Sequence, residues 1–302
     1  MFGHLRAVFI ITTFTMVAFT NAAAAAKMHD GGPVQDIEYS RPSGLSLKMD
    51  GYIQPGDTAV PAVILVHGGG WIAGDRRRDV QPLFKPLQDA GLAWFSLDYR
   101  LATDITQFGA GIDDVLAAID YVRSHAVELN VDPDRIALIG ESAGGQLAAM
   151  AALRGGPTLD VKAVVALYAP TDLAALLRNS QYIPAQIRNQ VVGTPWEPFI
   201  LSALTRLSPA DNVSADMPPF LFVHGTADPV VPFTQSTEMC KRMRRAGASC
   251  EVYPVAGAGH GIRWWNSSKE SSLDYKNKIT SWLVQQLRVP TSQIRPAYRP
   301  FS

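Results

Sequence analysis

Cysteine is scarce, with two in 302 residues. That is too few for a disulfide-stapled scaffold or a four-thiolate zinc site. Neither sign of charge is in excess: Lys and Arg total 27, Asp and Glu total 27, and the formal net charge is zero. With no positive surplus to neutralise a phosphate backbone, a general nucleic-acid partner is excluded. No His, Cys, Asp or Glu residues stand at metal-ligand spacing, and neither G-x-G-x-x-G nor G-K-[ST] occurs, so no metal and no organic cofactor is expected. Beyond the amino terminus, no apolar run approaches the ~20 residues that cross a bilayer. Apolar residues themselves are plentiful, 47% against 18% charged. That balance supplies a large core and is not that of a disordered chain.

The amino terminus differs from the rest. Residues 1–6 carry one Arg, residues 7–20 (AVFIITTFTMVAFT) are uncharged and mostly apolar, and residues 21–26 (NAAAAA) are rich in small side chains. This order is expected of a secretory signal peptide over 1–26, cut after Ala24 or Ala26, which leaves one domain over 27–302. The run is short and cleavable residues follow at once, so no stable membrane insertion is expected afterwards. The expected location is secreted or periplasmic, where a disulfide persists.

The body alternates strand-length apolar runs with helical patterns. Eight strands are predicted, at 36–39, 46–51, 62–66, 93–98, 136–140, 163–167, 220–224 and 250–254. AVILV, IALIG, AVVAL and FLFVH are continuous apolar runs, expected where helices cover both faces of a parallel sheet. The first two strands alternate more and are predicted to be antiparallel edge strands. Helices are predicted at 80–90, 111–130, 142–153, 232–246 and 271–287, several of them stopped by Gly. The sum is an α/β fold, a mostly parallel eight-stranded sheet with helices on both faces. One connection, 171–215, is too long for a simple crossover and reads as a small inserted cap with two weak helices, at 173–179 and 199–207. The tail, 289–302, is polar and contains Pro.

Four stretches carry chemistry. Gly140-Glu141-Ser142-Ala143-Gly144 lies between a predicted strand and a predicted helix, a tight turn that lifts a Ser hydroxyl to the sheet's carboxyl edge. A serine needs a base, and His260 in GAGHG follows the last strand, where catalytic groups gather in open α/β sheets. The base needs an acid to orient it, and Asp228 in HGTADPVVP follows strand FLFVH. The chain order Ser142, Asp228, His260 is that of an α/β-hydrolase. The three glycines of His67-Gly-Gly-Gly70 follow strand AVILV and expose backbone N–H groups suited to a developing oxyanion.

HGGGW, DYRL at 98–101, GESAGG, HGTADPVVP and GAGHG occur in order, and over roughly 36–288 the chain resembles the α/β-hydrolase superfamily. The resemblance lies near its hormone-sensitive-lipase-like and feruloyl- or acetyl-esterase-like carboxylesterases. It implies a serine ester hydrolase without cofactor, with the N–H groups of Gly69, Gly70 and Ala143 forming the oxyanion hole. Two departures point to the smaller secreted acetyl-esterase-like group. Residues 27–60 are too strand-like for an amino-terminal helical cap, and Glu141 stands where Asp is common. The expected substrate is a small-molecule or carbohydrate ester. Two alternatives remain open: amide chemistry on the same triad, arylformamidase-like or peptidase, and a non-catalytic binding protein on the same fold.

Cys240 lies ~9 Å back along its helix, and Cys250 lies ~10 Å along the next strand after the reversal at Gly247. The two come level, and a disulfide is expected. Trp71 is a candidate substrate-binding residue, and Trp264 and Trp265 either narrow the site or pack in the core. The cap is cut by Pro184, Pro195, Pro198 and Pro209 and offers no long apolar lid, so a short-acyl preference is expected.

Overall fold

A computed structural model describes residues 29–104, 107–180, 191–265, 269–290 and 293–294. The expected leader at 1–26, residues 181–190 of the expected insert and most of the tail lie outside these, as does the side chain of Trp264.

Eight strands form one sheet: β1 (Gly32–Ser40), β2 (Leu47–Ile53), β3 (Val60–Val66), β4 (Ala93–Leu97), β5 (Val131–Glu141), β6 (Ala163–Leu167), β7 (Phe220–Gly225) and β8 (Cys250–Val255). Their order is β1-β2-β4-β3-β5-β6-β7-β8. The pairs β1·β2 and β2·β4 are antiparallel, and every pair from β4 to β8 is parallel. The expectation that both early strands lie at an edge is corrected. Of the two, β1 alone lies at an edge; β2 is paired on both sides, and Leu47, Met49, Asp50 and Gly51 within it are buried.

Among the described residues the α-helices are α1 (Phe84–Asp89), α2 (Ala110–Ser124), α3 (Ala143–Leu159), α4 (Leu173–Asn179), α5 (Glu197–Arg206), α6 (Thr234–Arg245), α7 (Ile262–Trp265) and α8 (Lys269–Gln286). α1 is entered through a 3-10 turn at Gln81–Leu83, which accommodates Pro82 because an N–H in a first turn has no intrahelical acceptor. Side chains of a strand alternate between faces, and β3 shows it. Ala62, Ile64 and Val66 pack with Ile112, Val115 and Ile119 of α2 and Leu147 of α3. Val63 and Leu65 pack on the other face with Leu87 of α1 and Ile279 and Leu283 of α8. Burial of each such aliphatic side chain stabilises by roughly 1.5–3 kcal/mol, so β3 is anchored from both sides and its carboxyl end is a rigid base for the loop that follows.

Cys240 on α6 and Cys250 at the start of β8 are joined by a disulfide. In the insert, α4 and α5 enclose a small cluster of Leu173, Leu177, Val191, Leu201 and Leu204, against which Trp71 packs. The Asp172 carboxylate caps α4 by accepting from Ala175 N–H at 2.8 Å. The side chain of Gln235 holds the base of the insert, accepting from Thr171 N–H at 2.9 Å and Asp172 N–H at 2.7 Å. Among the described residues no helix is long and apolar enough to cross a membrane.

Candidate active site

Ser142 sits between β5 and α3 with φ 50° and ψ −122°, a left-handed backbone that a side-chain-bearing residue rarely adopts. The turn is held by close approach on every side. A Cβ on Gly140 would lie 2.2 Å from Gly144 O, one on Gly144 2.3 Å from Val66 O, and one on Gly145 2.6 Å from the Ala169 side chain. The glycines around the serine are therefore required by sterics. The Ser142 carbonyl accepts from Gly145 N–H at 2.9 Å, which starts α3.

The structure brings the three widely separated residues together. Ser142 Oγ lies 2.9 Å from His260 Nε2, and His260 Nδ1 lies 2.7 Å from Asp228 Oδ2. With Nδ1–H donating to the carboxylate, Nε2 is left as the acceptor of the serine proton, the arrangement general-base activation needs. The second oxygen, Asp228 Oδ1, accepts from Val230 N–H at 2.8 Å and Val231 N–H at 2.9 Å. Burial pushes the Asp228 carboxyl up, but hydrogen bonds from His224, His260 and Val231 outweigh it and hold the group well below the usual carboxylate range.

His224 was missed in the sequence except as a strand end. It is wholly buried, with Nε2 2.9 Å from Val231 O and 3.3 Å from Asp228 Oδ2. Both oxygens facing Nε2 are acceptors, so Nε2 carries the proton, and Nδ1, 2.7 Å from Ser236 Oγ, accepts from that hydroxyl. The signal was legible in principle, as a His four residues before the acid in HGTAD.

The glycine loop follows β3 directly. Gly69 and Gly70 have φ of 108° and 63°, and Ile72 and Ala73 N–H groups donate to Gly69 O at 3.3 and 3.1 Å, closing the turn. Ala143 opens α3, where an N–H has no intrahelical acceptor. His67 is buried and braces the loop: Nδ1 is 2.7 Å from Gly68 O, and the ring stacks on Tyr99 at 4.4 Å. Burial pushes the His67 imidazole below its ordinary value, against the hydrogen bond to Gly68. It is a neutral strut, not a second base. A further buried link joins the loops: Gly68 N–H donates to Glu141 Oε1 at 3.1 Å, Tyr168 O–H donates to Glu141 Oε2, and Ile262 N–H donates to Tyr168 Oη at 3.0 Å.

Trp71 is half-buried. Its ring stacks on Phe108 at 4.7 Å, and Nε1–H donates to Gln146 Oε1 at 2.9 Å. Gln146 in turn donates to Leu207 O at 2.7 Å, so the residue after the glycine loop, α3 and the end of α5 are one connected unit. Trp265 does not narrow the site: it is buried, donates to Gly259 O at 2.7 Å, and packs edge-on against Tyr168 and Tyr275. It is a core residue that pins the histidine loop.

The family model described as BD-FAE matches residues 49–243. Esterase LipQ of Mycobacterium tuberculosis is 31% identical over 220 residues, covering 69% of this chain and 51% of that protein. The chain spans about half the length of such mycobacterial relatives. An ethyl acetate hydrolase of Pseudomonas putida is 24% identical over 281 residues, covering 89% and 87% of the two chains. Among solved structures, a thermophilic esterase of Thermogutta terrifontis, Est2 with butyrate bound, superposes with a TM-score of 0.69 at 25% identity, covering 85% of this chain and 94% of that one. Esterase 2 of the same organism phosphorylated by paraoxon superposes at 0.67 and 25%, covering 84% and 94%.

Proposed function

The chain belongs to the BD-FAE family of α/β-hydrolase esterases, and from that premise we propose that it is a serine carboxylesterase that cleaves short-acyl, acetyl-type esters through an acyl-enzyme. The carrying observation is the unbroken path from Ser142 Oγ through His260 to Asp228, with spacings of 2.9 and 2.7 Å. His260 Nε2 takes the serine proton as Oγ attacks the ester carbonyl. Asp228 holds the imidazole tautomer and stabilises the imidazolium. The N–H groups of Gly69, Gly70 and Ala143 receive the charge that develops on the carbonyl oxygen, a contribution typically worth ~3 kcal/mol per donor. The alcohol leaves with the proton from His260, and water then enters by the same route in reverse to release the acid.

The short-acyl reading rests on the cap and on relatives. α4 and α5 are 7 and 10 residues long; Leu173, Leu177, Leu201 and Leu204 pack on each other and with Trp71, while Phe199 on α5 and Trp196 before it stay exposed. Among the described residues, two helices this short offer a small apolar surface for a long chain, whose methylenes each need burial worth ~0.8 kcal/mol. The Pseudomonas relative is named for an acetate ester, and the Thermogutta neighbour holds butyrate. The leader-like residues 1–26 support export to a secreted or periplasmic location, with Trp71 on the rim contacting substrate.

The test is a p-nitrophenyl ester series from acetate to palmitate at sub-micellar concentration. The expected result is a kcat/KM maximum at acetyl to butyryl with a fall beyond about six carbons. A maximum at ten carbons or longer, or activation at a lipid interface, would overturn it.

A further inference from the structure

Glu141, the residue immediately before the nucleophile, is buried, yet nothing in the proposed reaction uses it. Its two oxygens reach opposite sides of the site. Oε1 accepts from Gly68 N–H at 3.1 Å, in the turn that leads to Gly69 and Gly70. The carbonyl of the same Gly68 is held by His67 Nδ1 at 2.7 Å and Tyr99 O–H at 3.2 Å. Gly68 is therefore pinned at both ends, and Glu141 supplies one of the pins. Oε2 accepts from Tyr168 O–H, and Tyr168 Oη accepts from Ile262 N–H at 3.0 Å, two residues beyond His260. The Tyr168 ring also meets the His260 ring edge-on, with centroids 4.7 Å apart.

We propose that Glu141 and Tyr168 form one positioning unit that sets the glycine loop and the His260 loop in register with Ser142, and that the Glu141 carboxylate supports the imidazolium formed on His260. This rests on the serine esterase reading above. The hydrogen-bond pattern suits the ionised acid. Tyr168 Oη receives the Ile262 N–H and gives its own proton to Oε2, while Oε1 faces the Gly68 N–H. Each oxygen of the carboxylate thus has a donor.

Burial pushes the Glu141 carboxyl above its ordinary value, and the hydrogen bonds from Tyr168 and Gly68 offset only part of that rise. The ionisable groups that share its field come from five elements: Tyr168 after β6, His260 after β8, Tyr275 on α8, Tyr99 after β4 and Asp79 in the loop after β3. Of these only His260 becomes a cation in the reaction, so a negative Glu141 favours its charged form. Glutamine at this position keeps the volume but removes the charge and turns an amide donor toward either Gly68 N–H, which loses its acceptor, or Tyr168 Oη, which must reverse its hydrogen bond.

The experiment measures kcat and KM on p-nitrophenyl acetate, the pH profile of kcat/KM and thermal unfolding for wild type, Glu141→Gln, Tyr168→Phe and the double variant. Ser142→Ala is the control. An active wild type with an inactive control secures the esterase reading independently of the outcome at Glu141. The expected result is a fall in kcat on the order of tenfold to a hundredfold for each single variant, with KM within about twofold. The double variant is expected no worse than about threefold below the weaker single, as for residues acting as one unit. The acid limb of kcat/KM is expected to move to lower pH in Glu141→Gln and to stay in place in Tyr168→Phe. Single variants within about twofold of wild-type kcat, strictly multiplicative losses, or an unmoved acid limb in Glu141→Gln would overturn the proposal. If Glu141→Gln does not fold, Tyr168→Phe decides it alone, by whether kcat falls at constant KM.

Discussion

At the scale of single residues, the site depends on groups held in one protonation state. Asp228 is the case with a pH consequence. Its carboxyl is depressed below the ordinary range despite burial, by hydrogen bonds from His224, His260 and Val231. A carboxyl depressed in the folded state stabilises above its unfolded value, near ~4, and loses that contribution as pH falls through the folded value. The melting temperature of Asp228→Asn is therefore expected to lie below that of wild type at pH 7 and to approach it below about pH 4, read from paired thermal melts. A gap that stays constant or widens with acid would contradict the sign. At pH 7 the same variant is expected to lose about 10⁴ in kcat, because the amide favours the wrong imidazole tautomer. Gly74 tests the loop from the other side. With φ 129°, a Cβ there would lie 2.0 Å from His67 Nδ1 and 2.4 Å from Gly68 O. Gly74→Ala is expected to lower kcat by ~10²–10³ through displacement of the glycine loop; activity within about twofold of wild type would show that the loop tolerates the shift. Ser142, Asp228 and His260 were legible because each lies in a short local pattern after a strand. Glu141 and Tyr168 were not legible as partners. They are 27 residues apart, and Tyr168 and Ile262 are 94 apart. Nothing in the run AVVALY marks its last residue as a hydrogen-bonding hub.

At the scale of elements, the strands were read well where both faces are buried, because a continuous apolar run has one explanation in a sheet covered by helices. β3, β4, β6 and β7, each buried along its whole length, start and end within two residues of their expected limits. β2 was read as an edge strand because polar residues such as Lys48 and Asp50 lend it alternation. In the fold Asp50 is buried and paired with Arg76 at 3.2 Å and with Arg77, so a charged residue stands on an interior strand. Such pairing across 26 and 27 positions is invisible to local patterning. The link between α6 and β8 gives a test at this scale. Cys240 and Cys250 are bonded across a sequence separation of 10, a closure worth about 3 kcal/mol in the chain-entropy account. Unreduced, denatured protein is expected to show no free thiol by titration, and Cys240→Ala/Cys250→Ala is expected to melt roughly 5–12 °C lower. Two titratable thiols would contradict the bond.

At the scale of the molecule, the parallel strands β3, β5, β7 and β8 deliver four loops to one edge of one sheet: the glycine loop, Ser142, Asp228 and His260. The helices on both faces make that edge rigid, which is why a site assembled from residues 67 to 260 can hold spacings below 3 Å. The leader reading belongs to this scale as well. Export from a bacterial or eukaryotic secretory host is expected to yield protein whose first residue is Ala25 or Lys27, read by amino-terminal sequencing; an exported chain that retains Met1 would contradict it. The central claim, that Ser142 is the nucleophile of an esterase built on His260 and Asp228, is tested most directly by intact and peptide mass spectrometry after treatment with a serine-reactive fluorophosphonate. The account predicts one adduct per chain, on Ser142, loss of p-nitrophenyl acetate turnover in step with labelling, and no adduct in Ser142→Ala. Labelling on another residue, or turnover that survives complete modification of Ser142, would contradict it.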